Sequence, residues 1–254
     1  MYFGLSEEQQ FFQESIDKFL EDTVTVDALR SYRTGEDDNL IDDVFNGLNE
    51  LGLSGLIIPE EYGGLGLDSL FAISVSESLG KGVAPYPFIG SFLIAPFLIN
   101  KLGSDSQKQK YLPSIANGEY RFAVALTEMT GRRIEKGIQS SKQKLSGQSL
   151  FVMDDIHSTH YLILDSDGAL HIVEAEESGL EKVELKTVDI TSFVSELKLD
   201  QVKTEDLGNG PGNIDAIKQA INLGRVAIAA ETLGASQCML NRSVDYAKER
   251  KQFG

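Results

Sequence analysis

The amino-acid sequence predicts an α+β protein of three parts: an all-α domain over residues 1–118, a small β-barrel or sandwich domain over residues 119–207, and a linker with one long helix over residues 208–254. In the first part, apolar residues recur every three or four positions, which is the spacing of a helix face. In the middle part, short stretches of β-favouring residues alternate with Gly, Ser and Asp turns. Beyond the Gly-rich linker the helical spacing returns, which indicates a separate helical element.

The N-terminal part begins with a helix-start signal. Ser6 and Gln9 have the spacing of a capping box. A second helix is predicted over residues 41–51 and ends at Gly52. Pro and Gly punctuate residues 54–68, so this segment is predicted as a loop. Further helices are predicted over residues 69–80, 89–102 and 106–116.

The middle part is predicted to contain short strands and to end near Leu207. Asp154 and Asp155 follow one of these strands directly and are expected to form a turn at its end. The predicted strands cover residues 122–126, 150–153, 161–165 and 170–174.

The last part is predicted as one long helix over residues 214–251 with an apolar stripe along it. A lone amphipathic helix of this length needs a partner surface for its stripe. Either a second copy of the chain covers the stripe, or the rest of a helical bundle is missing from the sequence. The residues of the stripe are Ile217, Ile221, Ile228, Leu233, Met239 and Leu240.

The charge balance argues against some classes of partner. Lys and Arg total 23 and Asp and Glu total 39, so the net charge is −16. A negative charge of this size repels phosphate backbones, so nucleic-acid binding is not expected. The longest apolar stretch, residues 92–99, is broken by Pro96 and is far shorter than the roughly 20 residues of a membrane span, so none is expected.

The few cysteines and histidines indicate neither a disulfide nor a metal site. Cys238 is the single cysteine and cannot form an internal disulfide, which is typical of a reducing compartment. Since the N-terminus also lacks a basic leader, a cytoplasmic location is predicted. His157 and His160 have no acidic or cysteine partner at ligand spacing, so no metal site is expected.

Four strings, taken with the order of the three parts, resemble the acyl-CoA dehydrogenase family of flavoproteins. The resemblance extends over the whole chain and implies that the long helix is the start of a C-terminal helical bundle, within which the chain ends. It also implies FAD as cofactor, an acyl-CoA thioester as substrate, an electron-transfer flavoprotein as electron acceptor, and an oligomer of like or unlike chains joined through the long helix. The strings are IIPEEYGGLGLD (residues 57–68), KYLPSIANGE (110–119), ALTE (125–128) and LGRVAIAAETLGA…YAKERKQFG (223–254).

The resemblance assigns part of the flavin site to the string ALTE and the turn after it. Leu126 and Thr127 would contact the flavin ring, and Gly131 would line the phosphate turn. The chain departs from the family pattern in two places. Met129 replaces a Pro and two arginines replace Ser–Asp in the turn, where they either bind the pyrophosphate or distort the turn. Residues 151–153, Phe–Val–Met, replace a Trp–Ile–Ser/Thr string, and the chain has no Trp at all.

The resemblance assigns further roles to the long helix. Asn222 and Arg225 would lie near the acyl end of the substrate, and Arg250 would bind the FAD pyrophosphate of a neighbouring subunit. No catalytic base is evident, because Gly224 stands where a minority of relatives have the catalytic Glu and most relatives have it in later helices. The leading prediction is an acyl-CoA dehydrogenase, and the alternatives are a non-catalytic subunit of a heteromeric dehydrogenase or a fragment.

Overall fold

A computed structural model describes residues 4–36, 39–126, 137–208 and 214–252. Thr127 and Gly131 therefore lie outside the described residues, as do the departures from the family pattern in the turn after them. The chain divides into two compact units. The first comprises Met1–Gly47, Leu70–Tyr86 and Val226–Gly254, and the second comprises Leu48–Ser69 and Pro87–Arg225. The domain boundaries at residues 118 and 207 stay predictions.

Local capping signals account for the first helices. The Ser6 hydroxyl accepts a hydrogen bond from the backbone N–H of Gln9, and the Gln9 side chain accepts one from the backbone of Ser6, so the predicted capping box is confirmed. Gly52 follows the third helix with a φ of 86°, a left-handed conformation that glycine adopts readily. The helices are α1 (Glu7–Thr23), α2 (Val26–Thr34), α3 (Leu40–Glu50) and α4 (Ser69–Gly82).

The long helix α7 (Ile214–Glu249) crosses α4 through two glycines. A Cβ atom on Gly80 would overlap the carbonyl oxygen of Glu231, and one on Gly234 would overlap the carbonyl oxygen of Glu77. The two helix backbones therefore touch at positions where only glycine fits.

The predicted stripe is buried only in part. Ile217 and Ile221 are buried in the single chain. The later members are exposed, namely Ile228, Leu233, Met239 and Leu240.

The helical part of the second unit departs from the prediction near Pro96. A single helix was expected over residues 89–102, but the structure has a π-helix at Phe88–Ile94 followed by α5 (Ala95–Leu102). Proline has no N–H to donate, so a regular α-helical ladder does not continue through it. Helix α6 (Asp105–Ala116) follows, and the predicted loop at residues 54–68 contains only two short 3₁₀ turns.

The described strands form one curled sheet in the order β6-β7-β3-β1-β4-β5-β8, with β2 paired to β3. Strands β1 and β4 are parallel, and the other pairs are antiparallel. One face of the sheet carries a cluster of buried apolar side chains that includes Ala125, Val152 and Tyr161. The strands are β1 (Phe122–Ala125), β2 (Gln139–Ser141), β3 (Lys144–Met153), β4 (His160–Leu164), β5 (Leu170–Glu174), β6 (Leu180–Glu184), β7 (Val194–Lys203) and β8 (Glu205–Leu207).

Strand β1 is buried on both faces. On the face opposite the apolar cluster it packs against the π-helix, where the Ser91 hydroxyl donates a hydrogen bond to the carbonyl oxygen of Phe122 at 2.7 Å. The centre of the sheet is thus fixed from both sides at the strand that leads into the predicted flavin turn.

No helix in the described parts of the chain is long and apolar enough to cross a membrane.

Candidate functional site

The ends of β1 and β3 lie side by side. The two strands are antiparallel and Val124 pairs with Met153, so the chain leaves β1 at Leu126 alongside the Phe151 end of β3. Leu126 is only 7% exposed, whereas Phe151 is 64% exposed. Two segments that the resemblance assigned to one site, about 25 residues apart in sequence, are therefore neighbours in the fold.

The backbone around Phe151 is irregular. The pairing of β3 with β7 shifts between Ser149 and Val152, which marks a β-bulge. Phe151 itself has a φ of 56°, in the left-handed region that non-glycine residues seldom adopt. A bulge re-aims a side chain relative to a regular strand, and bulges are frequent next to active sites. Here the bulge accompanies a large aromatic ring that faces outward.

Asp154 links the end of β3 to the π-helix. Its Oδ2 accepts a hydrogen bond from the backbone N–H of Gly90 at 2.5 Å, and the carboxyl group accepts a second from the backbone of Ser91. Burial raises the pKa of the Asp154 carboxyl to about 6, against the lowering effect of these two hydrogen bonds. A Cβ on Gly90 would lie 3.1 Å from the Asp154 Cβ, so a glycine there permits the close approach.

Asp155 is buried and links three strands. Its carboxylate accepts hydrogen bonds from the hydroxyls of Tyr161 on β4, at 3.1 Å, and Ser195 on β7. The Lys182 Nζ on β6 lies 3.3 Å from its Oδ1. The charge is thus paired and hydrogen-bonded, which is the condition for burying a carboxylate. The sequence indicated only a strand-end turn for Asp154 and Asp155, and the acidic pair after an apolar strand was the one available signal of more.

Asn222 and Arg225 lie on one exposed face of α7. The Arg225 Nη1 donates a hydrogen bond to the Asn222 Oδ1 at 3.2 Å, as the three-residue spacing along a helix allows. Gly224 is buried on the opposite side. A Cβ there would lie 2.8 Å from the Ile94 Cδ1 and 3.4 Å from the Ile89 Cγ2, so the glycine lets α7 lie against the π-helix.

Arg250 lies at the end of α7 and belongs to the first unit. It is exposed, and its guanidinium carbon lies 5.2 Å from the centre of the Tyr246 ring. Lys248 beside it is 3.4 Å from Asp245. A guanidinium can pair with an anion through two parallel hydrogen bonds, and this role of Arg250 stays a prediction.

Comparison with known proteins identifies the family. The sequence model of the acyl-CoA dehydrogenase N-terminal domain matches residues 6–119, and that of the acyl-CoA dehydrogenase C-terminal domain matches residues 213–254. Together these matches cover more than half of the 254 residues. The chain belongs to the acyl-CoA dehydrogenase family.

Individual members of the family are similar to this chain in sequence or in fold over most of its length. An acyl-CoA dehydrogenase of Bacillus subtilis (strain 168) is 31% identical over 80% of this chain and 59% of its own length. The chain therefore spans about three fifths of that curated relative. Butyryl-CoA dehydrogenase from Megasphaera elsdenii has the same fold, with a TM-score of 0.84 and 24% identity over 100% of this chain and 72% of its own. A chain of the ChsE4–ChsE5 complex from Mycobacterium tuberculosis has a TM-score of 0.85 and 24% identity, over 100% and 70% of the two chains.

The family string KYLPSIANGE has a structural role in this member. The Tyr111 hydroxyl donates a hydrogen bond to the Glu205 Oε2 at 2.7 Å, and the Lys110 Nζ lies 3.1 Å from the same oxygen. Gln107 donates to the Glu205 Oε1 at 2.8 Å. These contacts tie α6 to β8 at the edge of the sheet.

The two histidines that the sequence analysis considered as metal ligands contact neighbouring protein side chains. His160 stacks on the Phe122 ring with centroids 5.0 Å apart, and burial lowers its pKa to about 4. It is therefore neutral near pH 7. The His157 Nδ1 lies 3.3 Å from the Arg121 Nη1. Within the described ranges, no group of three or more His, Cys, Asp or Glu side chains is arranged to hold a metal ion.

A pocket of about 570 Å³ lies within the first unit, between α1, the end of α4 and α7. Its walls are largely apolar, and at its edge the Lys81 Nζ lies 2.6 Å from the Asp17 Oδ2. Cys238 is partly buried there. None of the predicted site residues that the structure describes lines this pocket.

Proposed function

We propose that this chain binds FAD and takes part in the α,β-dehydrogenation of an acyl-CoA thioester. Membership of the family implies FAD as the cofactor. The observation that carries the proposal is the pairing of β1 with β3, which places the end of β1 at Leu126 alongside the Phe151 end of β3.

The residues at this strand end fit a planar, largely apolar ring system. Phe151 offers an exposed aromatic ring, and the apolar residue Leu126 lies at the adjacent end of β1. Aromatic rings pack on one another in offset or edge-on arrangements. Met153 has no hydrogen-bond donor in its side chain, so we expect backbone N–H groups to hold the polar edge of the ring. FAD itself supplies the hydride acceptor, and the protein supplies binding and orientation.

We assign the substrate and the cofactor phosphates to α7. Arg225 and Asn222 share an exposed helix face, and we propose that they bind the acyl-CoA near its reacting end. We propose that Arg250 binds the FAD pyrophosphate in an assembly with a second chain, because a guanidinium pairs with phosphate oxygens through two parallel hydrogen bonds. An electron-transfer flavoprotein is the proposed electron acceptor, and the proposed location is the cytoplasm.

The α-proton of the thioester has to go to a carboxylate. None of the predicted site residues is a carboxylate, and a side chain at Gly224 would displace Ile94. We therefore propose that the base comes from further helices, which belong either to the same protein or to a partner chain.

This packing at Gly224 also favours a second candidate function. In that case the chain is a non-catalytic subunit that completes the flavin or substrate site of a partner dehydrogenase. The complex of ChsE4 and ChsE5, which shares the fold, is an assembly of two named components.

An FAD-binding experiment tests the leading proposal. Purified chain is incubated with FAD, separated from free FAD, and examined for the visible absorbance of bound flavin. Yellow protein supports the proposal, and colourless protein contradicts it. Anaerobic addition of butyryl-CoA to a longer chain that includes the further helices then separates the two candidates: bleaching of the flavin band supports catalysis, and an unchanged band favours the non-catalytic subunit.

A further inference from the structure

The backbone of residues 151–154, at the end of β3, has an unusual conformation that contacts with neighbouring residues must stabilise. Phe151 and Asp154 both have positive φ angles, 56° and 58°. Non-glycine residues hold such conformations only where the surrounding structure over-determines them. Phe151 also lies in the β-bulge between Ser149 and Val152, where regular pairing with β7 is interrupted. Neighbouring contacts must therefore fix the direction of Phe151.

The contacts of Asp154 hold the segment from one side. Its carboxylate accepts backbone hydrogen bonds from the π-helix at Gly90 and Ser91. The π-helix is itself fixed to β1, because Ser91 donates a hydrogen bond to the Phe122 carbonyl oxygen. Asp154 thus links the end of β3 to the π-helix, and through it to β1.

The contacts of Asp155 hold the segment from the other side. Its carboxylate contacts Tyr161, Ser195 and Lys182, which lie on three different strands. Its backbone N–H also donates to the Phe193 carbonyl oxygen at 3.2 Å. The Lys182 ammonium in addition donates to the Asp155 carbonyl oxygen at 3.0 Å. The side chain and the backbone of Asp155 are therefore both fixed to the sheet.

We propose that Asp154 and Asp155 are positioning residues that clamp the chain after β3 and so hold the Phe151 ring outward as one face of the flavin site. The clamp is inferred from the contacts described above. Its role in FAD binding rests on the proposed function. The two carboxylates act through Phe151 and are not expected to touch the cofactor.

The absence of Trp from the sequence gives a direct test of the clamp. Phe151→Trp introduces a single fluorescent reporter, into which Asp154→Ala and Asp154→Asn are added separately. Asn keeps an oxygen that accepts the Gly90 N–H, whereas Ala does not. Asp167→Ala, at an exposed aspartate in the turn between β4 and β5, is the matched control. Acrylamide quenching and steady-state anisotropy are measured without FAD, and circular dichroism verifies folding.

We expect Asp154→Ala to lower the anisotropy and to increase quenching, while Asp154→Asn and Asp167→Ala leave both unchanged. A folded Asp154→Ala variant with unchanged anisotropy overturns the clamp. If that variant does not fold, Asp154→Leu replaces it, because leucine is similar in shape to aspartate but has no oxygen that accepts the Gly90 N–H. Unchanged anisotropy in folded Asp154→Leu overturns the clamp equally.

Titration of the same variants with FAD tests the second half of the proposal. We expect the FAD dissociation constant to rise about tenfold in Asp154→Ala, equal to about 1.4 kcal/mol, and to return to the parent value in Asp154→Asn. If the parent chain does not bind FAD, the proposed function fails, and the anisotropy still decides the clamp. If Asp154→Ala lowers the anisotropy of the reporter but leaves the FAD affinity unchanged, the proposed role of the clamp in FAD binding is overturned.

Discussion

At the scale of single residues, the exposed ring of Phe151 is the first feature to test. Phe151→Ala removes the aromatic face, and we expect FAD to bind about tenfold more weakly, since an aromatic contact contributes roughly 1 kcal/mol beyond its buried area. Fluorescence titration with FAD measures the change. Val188→Ala is the control, because Val188 is a fully exposed apolar residue at 106% relative exposure. Equal FAD affinities in the two variants would contradict the assignment of Phe151.

The raised pKa of Asp154 predicts that the free energy of unfolding depends on pH. Its folded-state pKa is raised from 3.8 to about 6, so protonation stabilises the fold, and that contribution is lost as the pH rises through about 6. Asp154→Asn stays neutral and keeps the oxygen that accepts the Gly90 N–H. Near pH 7 we therefore expect it to raise the free energy of unfolding by up to about 3 kcal/mol, with the gain disappearing below about pH 4. Urea unfolding across this range measures the difference, and a gain independent of pH would refute the reasoning.

At the scale of elements, the crossing of α4 and α7 depends on glycine. Gly234→Ala forces a methyl group against the backbone carbonyl of Glu77, so the helices must move apart. We expect a loss of about 2 kcal/mol in the free energy of unfolding, typical of overpacking. Thermal unfolding monitored by circular dichroism measures it. Ser236→Ala, an exposed position on α7, should stay within about 0.5 kcal/mol of the parent, and a Gly234→Ala variant as stable as Ser236→Ala would contradict the backbone contact.

The elements that the sequence predicted are those with local signals. The capping box at Ser6 and the left-handed Gly52 act within a few residues, and both were confirmed. Helix α2 was missed because it is only nine residues long and buries none of its residues, so its apolar pattern is short. Strands β6 and β7 were missed because charged residues interrupt their apolar residues. Such strands are held by cross-strand pairing, which no local pattern reveals.

The candidate site divides in the same way. The resemblance named Leu126 and the Phe151 end of β3 separately, and only the pairing of Val124 with Met153 joins them. The contacts of Asp155 come from strands up to 40 residues away, since Ser195 is among them. Long-range contacts of this kind depend on the register of the sheet and not on the local sequence. Their one local trace was a pair of acidic residues after an apolar strand.

At the scale of the whole molecule, the second half of α7 presents apolar side chains to solvent in the single chain. Exposed apolar side chains in this number on one helix commonly mark a contact with another protein segment. Leu240 is 58% exposed, and the other exposed apolar residues of this half are Val226, Ile228, Leu233, Met239, Val244 and Tyr246. This surface and Arg250 belong to the same helical segment. If a second chain binds here, assembly and FAD binding should therefore be coupled.

This coupling makes the last prediction. Leu240→Glu places a charge on the apolar surface, and we expect it to dissociate an assembly of the chain, as measured by sedimentation velocity over a range of concentrations. Arg250→Gln should leave the assembly intact but weaken FAD binding, because it removes only the proposed pyrophosphate contact. Gln219→Glu adds the same charge at an exposed polar position in the first half of α7, away from this surface, and is the matched control. A parent chain that assembles and binds FAD, with FAD affinity unchanged in both Leu240→Glu and Arg250→Gln, would show that the cofactor site lies within one chain.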